Sequence, residues 1–119
     1  MSKAKELIGI INEGKTRLSD YYDNMPLFMR EQLPVFLKVL GIKQRPVMTP
    51  SGNSKVFLGF DIQNVDVDVY FEFIRNKMFV DVYVSDPPDD EHYEFPLNHD
   101  IGKAFKYIAK NVKGMMTFV

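Results

Sequence analysis

Two histidines, sixteen carboxylates and no cysteine make up the reactive inventory of this 119-residue chain. The missing thiol removes cysteine nucleophiles, thiolate metal sites and any disulfide framework. His92 and His99 are the neutral-pH bases, and neither has a partner at a recognisable motif spacing. Asp61, Asp66 and Asp68 have the chemistry to gather a Mg²⁺ ion for phosphodiester cleavage. Alternation places them on an open sheet face, however, with no catalytic lysine among them. There is no phosphate-cradling glycine loop and no Gly-x-Ser-x-Gly elbow. The acidic run Ser85-Asp-Pro-Pro-Asp-Asp-Glu91 lacks the glycine and the alternating oxygen ligands of a calcium loop. These residues point away from catalysis and imply no metal and no cofactor.

Binding chemistry is better supplied, and strands must position it. From Gln44 to Tyr93 the apolar period is two. Pro46, Pro50, Ser51, Gly52 and Asn53 read as a loop or ragged edge strand. Three strands follow, over Lys55 to Ile62, Val65 to Ile74 and Met78 to Ser85. Gln63-Asn64 and Asn76-Lys77 are the expected two-residue turns, because asparagine tolerates the positive φ that such turns need. The first turn opposes Phe60 with Val67 and Val56 with Phe71. The second opposes Phe73 with Val80 and Val69 with Val84. Both put the same residues of the middle strand on one apolar face, an agreement that a one-residue slip would destroy. Val56, Leu58, Phe60, Val67, Val69, Phe71, Val80 and Val82 are the expected buried face.

The same register fixes the outward rows: Phe57, Tyr70, Tyr83; then Lys55, Glu72, Asp81; then Gly59, Asp68, Ser85; then Asp61 opposite Asp66. Five carboxylates and three aromatics share this face, with Lys55 as its cation and Glu72 directly opposed to Asp81 as a like-charge pair. Phe57, Asp61, Asp66, Asp68, Tyr70, Glu72, Asp81 and Tyr83 are therefore the candidate binding residues, with tyrosine anchors for a basic partner. The plainer alternative is a solvated sheet face.

Helices flank the sheet. Leu18, Tyr21 and Tyr22 suggest a short turn capped by Thr16 or Ser19, and Asn24 before Pro26 resembles a helix cap with proline in the first turn. Pro34 must kink that helix or begin another, and Gly41 is a natural stop. His92 to Phe95 suits a short last strand. Asn98 or Asp100 then caps a helix burying Ile101, Ala104, Phe105, Ile108 and Val112. Its outer face carries Lys103, Lys106, Lys110 and Lys113, either a solvated face or a contact for phosphate or acidic lipid.

At the N-terminus, Ala4, Leu7, Ile8 and Ile11 form one apolar stripe at i, i+3, i+4 and i+7. So short a helix must dock onto something, either the protein's own core or another protein. The segment resembles the capsid-targeting peptide of internal head proteins in T-even-type tailed phages. In that family the maturation protease cuts after a glutamate with an aliphatic residue two positions before it. Ile11-Asn12-Glu13 followed by Gly14 fits that pattern. The resemblance implies packaging through the phage prohead scaffold, cleavage after Glu13, a place in the virion interior, and ejection with DNA into the host cytoplasm. It further implies a payload that inhibits a host defence protein such as a restriction enzyme. The competing expectation is a cytoplasmic regulatory or protein-binding module whose first helix belongs to the fold.

With 45% hydrophobic content, the chain suits a single core. A formal charge of −1 argues against a chain-wide grip on nucleic acid, and no apolar run is long enough to span a bilayer. A secretory signal is not expected, because Glu6 and Asn12 bracket too short an apolar stretch. The expected architecture is α+β: residues 1–13 as a targeting helix, and 14–119 as one domain of N-terminal helices, an antiparallel meander of three to five strands and a C-terminal helix.

Overall fold

A computed structural model describes residues 17–116. The candidate targeting helix, the cleavage residues Ile11, Glu13 and Gly14, and the Thr16 cap lie outside the described residues.

A 3-10 turn, Leu18–Tyr21, leads into two short helices, α1 (Met25–Glu31) and α2 (Leu33–Leu40). Asp20, rather than Ser19, closes the 3-10 turn by accepting the Arg17 backbone N–H at 3.3 Å. The Asn24 side chain accepts the Leu27 N–H at 3.4 Å, and Pro26 sits in the first turn. Pro34 begins a new helix instead of kinking an old one. The chain breaks at Gln32, so proline falls in the first turn of α2, where its missing N–H costs nothing. Gly41 then turns left-handed at φ 78°, and Ile42 N–H reaches back to the Leu37 carbonyl at 2.9 Å.

Five strands follow as an antiparallel meander in chain order: β1 (Val47–Ser51), β2 (Lys55–Ile62), β3 (Val65–Ile74), β4 (Lys77–Ser85) and β5 (Pro88–Pro96). Five is the upper end of the expected three to five strands: the ragged edge around Pro50 is β1, and the short last strand expected at His92 to Phe95 begins earlier, at Pro88. Helix α3 (Ile101–Met116) closes the domain, with Asp100 accepting the Lys103 N–H at 2.9 Å as its cap.

The turn between β2 and β3 is Gln63-Asn64, at φ 52° and 68°, and its register is the expected one. The next turn differs. It uses Arg75-Asn76, at φ 55° and 60°, not Asn76-Lys77. Val67 therefore pairs with Val84, Val69 with Val82, Phe71 with Val80 and Phe73 with Met78. The slide is two residues, which preserves which side chains point inward but changes every outward neighbour.

The acidic proline loop contracts as well. Only Asp86-Pro87, joined by a cis peptide bond, lies between the strands, and Pro88 to Glu91 pair with Ser85 to Val82. Proline is tolerated there because β5 is an edge strand that Pro88 begins.

Helices pack on the inner face of the sheet. Phe28, Phe36, Phe71 and Phe105 form the centre of the core, with ring centroids 5.0–6.4 Å apart. All eight residues expected on the inner strand face are buried, as is the stripe Ile101, Ala104, Phe105, Ile108 and Val112 of α3. Tyr21 is buried too; its hydroxyl donates to Glu31 and accepts from Gln32, each at 2.9 Å.

Candidate functional site

Strand alternation sends the remaining side chains to the outer face, which no helix among the described residues covers. Its central cross-strand row is Thr49, Phe57, Tyr70, Asp81, His92. On one side lies Ser51, Lys55, Glu72, Phe79, Glu94; on the other Val47, Gly59, Asp68, Tyr83, Asp90. All eight candidate binding residues are on this face, but the register divides them into a groove and a corner.

The groove is a concavity of about 490 Å³ bounded by Lys55, Phe57, Tyr70, Glu72, Asp81 and Tyr83, with Thr49 and Ser51 at its rim. Phe57 and Tyr70 have ring centroids 5.1 Å apart at a tilt of 49°, and Tyr83 stands edge-on to Tyr70 at 5.9 Å and 89°. Tyr70 and Tyr83 are 45% and 44% exposed, so large aromatic area faces solvent. Gly59 helps place Phe57: a Cβ there would come within 3.0 Å of the ring. The absent side chain leaves room for the Phe57 ring to lie over Gly59 on its own strand.

The expected opposition of Glu72 and Asp81 is absent, because the two-residue slide sets Glu72 against Phe79 and Asp81 against Tyr70. Glu72 instead faces Lys55, with Nζ and Oε2 3.8 Å apart. Nor is Lys55 the single cation of the face. Lys77, assigned to a turn in the sequence reading, belongs to β4 and lies 3.4 Å from Glu94.

His92 is the residue that sequence reasoning missed. Its Nδ1 contacts Asp81 Oδ1 at 2.6 Å and its Nε2 contacts Glu94 Oε2 at 3.3 Å, while its ring lies 5.5 Å from Phe79. The hydrogen bond to Asp81 is the main cause that raises the His92 pKa above its ordinary value, and His92 in turn lowers that of Glu94. With carboxylates at both ring nitrogens, the protonated form of His92 is favoured. The contacts form an ion-pair chain from Asp81 through His92 and Glu94 to Lys77. Alternation across β5 was the available signal, since it puts His92 and Glu94 on the outer face beside β4.

The corner holds Asp61, Asp66 and Asp68 next to a shallow hollow that Arg45 also lines. The Asp61 carboxyl is raised above the usual range, chiefly by hydrogen bonding with Asp66. Asp68 is raised first by burial and then by the charge of Asp66. The three carboxylates thus crowd one corner of the face, where Asp66 is the common neighbour that disfavours the charged forms of Asp61 and Asp68. Among the described residues no group of three or more His, Asp or Glu side chains is arranged to hold a metal ion.

No known protein family, curated protein or solved structure matches this chain. Function must therefore be argued from the face itself. No helix among the described residues is long and apolar enough to cross a membrane.

Proposed function

We propose that this domain is a non-catalytic binding protein that docks a partner with a basic surface onto the outer face of its sheet. The observation that supports this reading is the uncovered aromatic groove bordered by Glu72 and Asp81, with more carboxylates at each end of the face. Exposed tyrosines bring large contact area at low entropic cost, and the carboxylates steer and register a cationic partner. The resemblance of residues 1–14 to capsid-targeting peptides supplies a delivery route. In that route the chain is packaged in a phage prohead, cut after Glu13 and ejected to inhibit a host defence protein such as a restriction enzyme.

Each half of the proposal has its own test. Capture from host lysate on the immobilised protein should retain a basic protein that a Tyr70→Ala/Tyr83→Ala variant loses. A captured protein indifferent to both substitutions removes the sheet face from the reading. For the route, mass spectrometry of mature virions should find the chain beginning at Gly14. A chain that keeps residues 2–13 in virions, or one never found there, ends the packaging half.

A further inference from the structure

The groove has a shape more specific than a generic acidic surface. A concavity of about 490 Å³ has room for one long side chain projecting from a partner's surface. Three rings set at 49° and 89° to one another give both faces and edges to an occupant. Carboxylates stand on two neighbouring cross-strand rows, Glu72 on one and Asp81 on the next. Each retains acceptor capacity: Lys55 is 3.8 Å from Glu72, beyond hydrogen-bond reach, and His92 holds Oδ1 of Asp81, leaving Oδ2 for a second donor.

Resting on the reading of this face as a docking surface, we propose that the groove seats a single arginine side chain of the partner, its guanidinium against Tyr70 and its N–H groups on Glu72 and Asp81. Charge complementarity selects a cation, since aromatic faces attract cations and the carboxylates accept from them. Geometry selects arginine over lysine. A guanidinium is planar, so it stacks on a ring while its fork of donors reaches two acceptors at once. An ammonium is a compact, strongly hydrated charge that gains less from a stacking wall. Phe57, its ring lying over Gly59, adds a second aromatic wall 5.1 Å from Tyr70.

The experiment titrates the full chain with N-acetyl-arginine amide, N-acetyl-lysine amide and N-acetyl-citrulline amide, following the ring protons of Tyr70 and Tyr83 by NMR. Citrulline keeps the shape of arginine without its charge. The arginine probe should saturate and bind roughly fivefold or more tightly than the lysine probe. The citrulline probe should bind at least about tenfold more weakly than arginine. Glu72→Gln and Asp81→Asn should each weaken arginine several-fold, and Tyr70→Ala should abolish saturation. All these positions are at the surface, so folding of the variants is checked by the unchanged inner-face spectrum. Equal responses to arginine and lysine, shifts confined to the Asp61–Asp66 corner, or no ring shifts would overturn the proposal. Its failure is separable from that of the docking reading. Lysate capture lost in Tyr70→Ala without any arginine response removes the pocket and keeps the surface. An arginine response without Tyr70-dependent capture does the reverse.

Discussion

The two faces of β3 carry the same backbone, the same hydrogen bonds and nearly opposite chemistry. Val67, Val69, Phe71 and Phe73 point inward and are at most 3% exposed, while Asp66, Asp68, Tyr70 and Glu72 point outward. Inner residues are constrained by close packing against Phe28, Phe36 and Phe105. Outer residues are constrained only by one another, and yet they include unfavourable acid neighbours and half-exposed rings. The inner side chains are therefore set by packing, whereas the outer ones are free to be set by what touches the face from outside.

That contrast breaks first at its largest step. Phe71→Ala should cost about 3–5 kcal/mol in urea or thermal unfolding, because it leaves a cavity among three other phenylalanines. Tyr70→Ala, one residue away, should cost about 1 kcal/mol or less and act on partner binding instead. Comparable stability losses at the two positions would mean that the outer face is structural after all.

A smaller effect lies on the His92 chain. Because its folded pKa is raised, chiefly by Asp81, the pair contributes stability that is fully present below the ordinary imidazole value of 6.5. The contribution is lost as pH rises through the folded value. Asp81→Asn should therefore lower the melting temperature at mildly acidic pH and have no effect at alkaline pH. The difference should be about 0.5 kcal/mol or less, since solvent screens an exposed pair. NMR titration should find His92 moved back towards 6.5 in the variant. An unmoved His92 would break the chain at its centre.

The smallest effect is at the acidic corner. The raised Asp61 pKa means that stability is lost as pH rises through it, when both acids must ionise. Asp66→Asn should raise the melting temperature slightly at neutral pH and give no advantage in acid. Identical melts at neutral pH would show that the corner carries no strain and that its composition needs no functional account.

Which residues face inward was legible in the sequence because side chains alternate strictly along a strand. Their outward partners were less so. Two turns that agree on a face exclude a one-residue slip but are blind to a two-residue slide, and Arg75 adopting φ 55° gave no compositional warning. The false pairing of Glu72 with Asp81 followed directly. Only the second half of β5, His92 to Phe95, was legible as a strand, because Pro88, Asp89, Asp90 and Glu91 have the composition of a solvated loop that the edge position of the strand tolerates. With the register of that strand against β4 unset, His92 and Glu94 could not be placed beside Asp81 and Lys77. The proline cues of α1 and α2 were readable, because each acts within one turn of its own chain.

The composition of β5 has a consequence for life at high concentration. A meander leaves two strands with unpaired backbone groups, and such edges invite another chain to extend the sheet. Here Pro88 and Pro96 stand at the two ends of β5, and Asp89, Asp90, Glu91 and Glu94 set like charges along it. At the opposite margin β1 is only five residues long and has Pro50 inside it. Both margins thereby disfavour edge-to-edge pairing with a second copy. A protein that has to be crowded into a small volume without forming fibres would need margins of this kind.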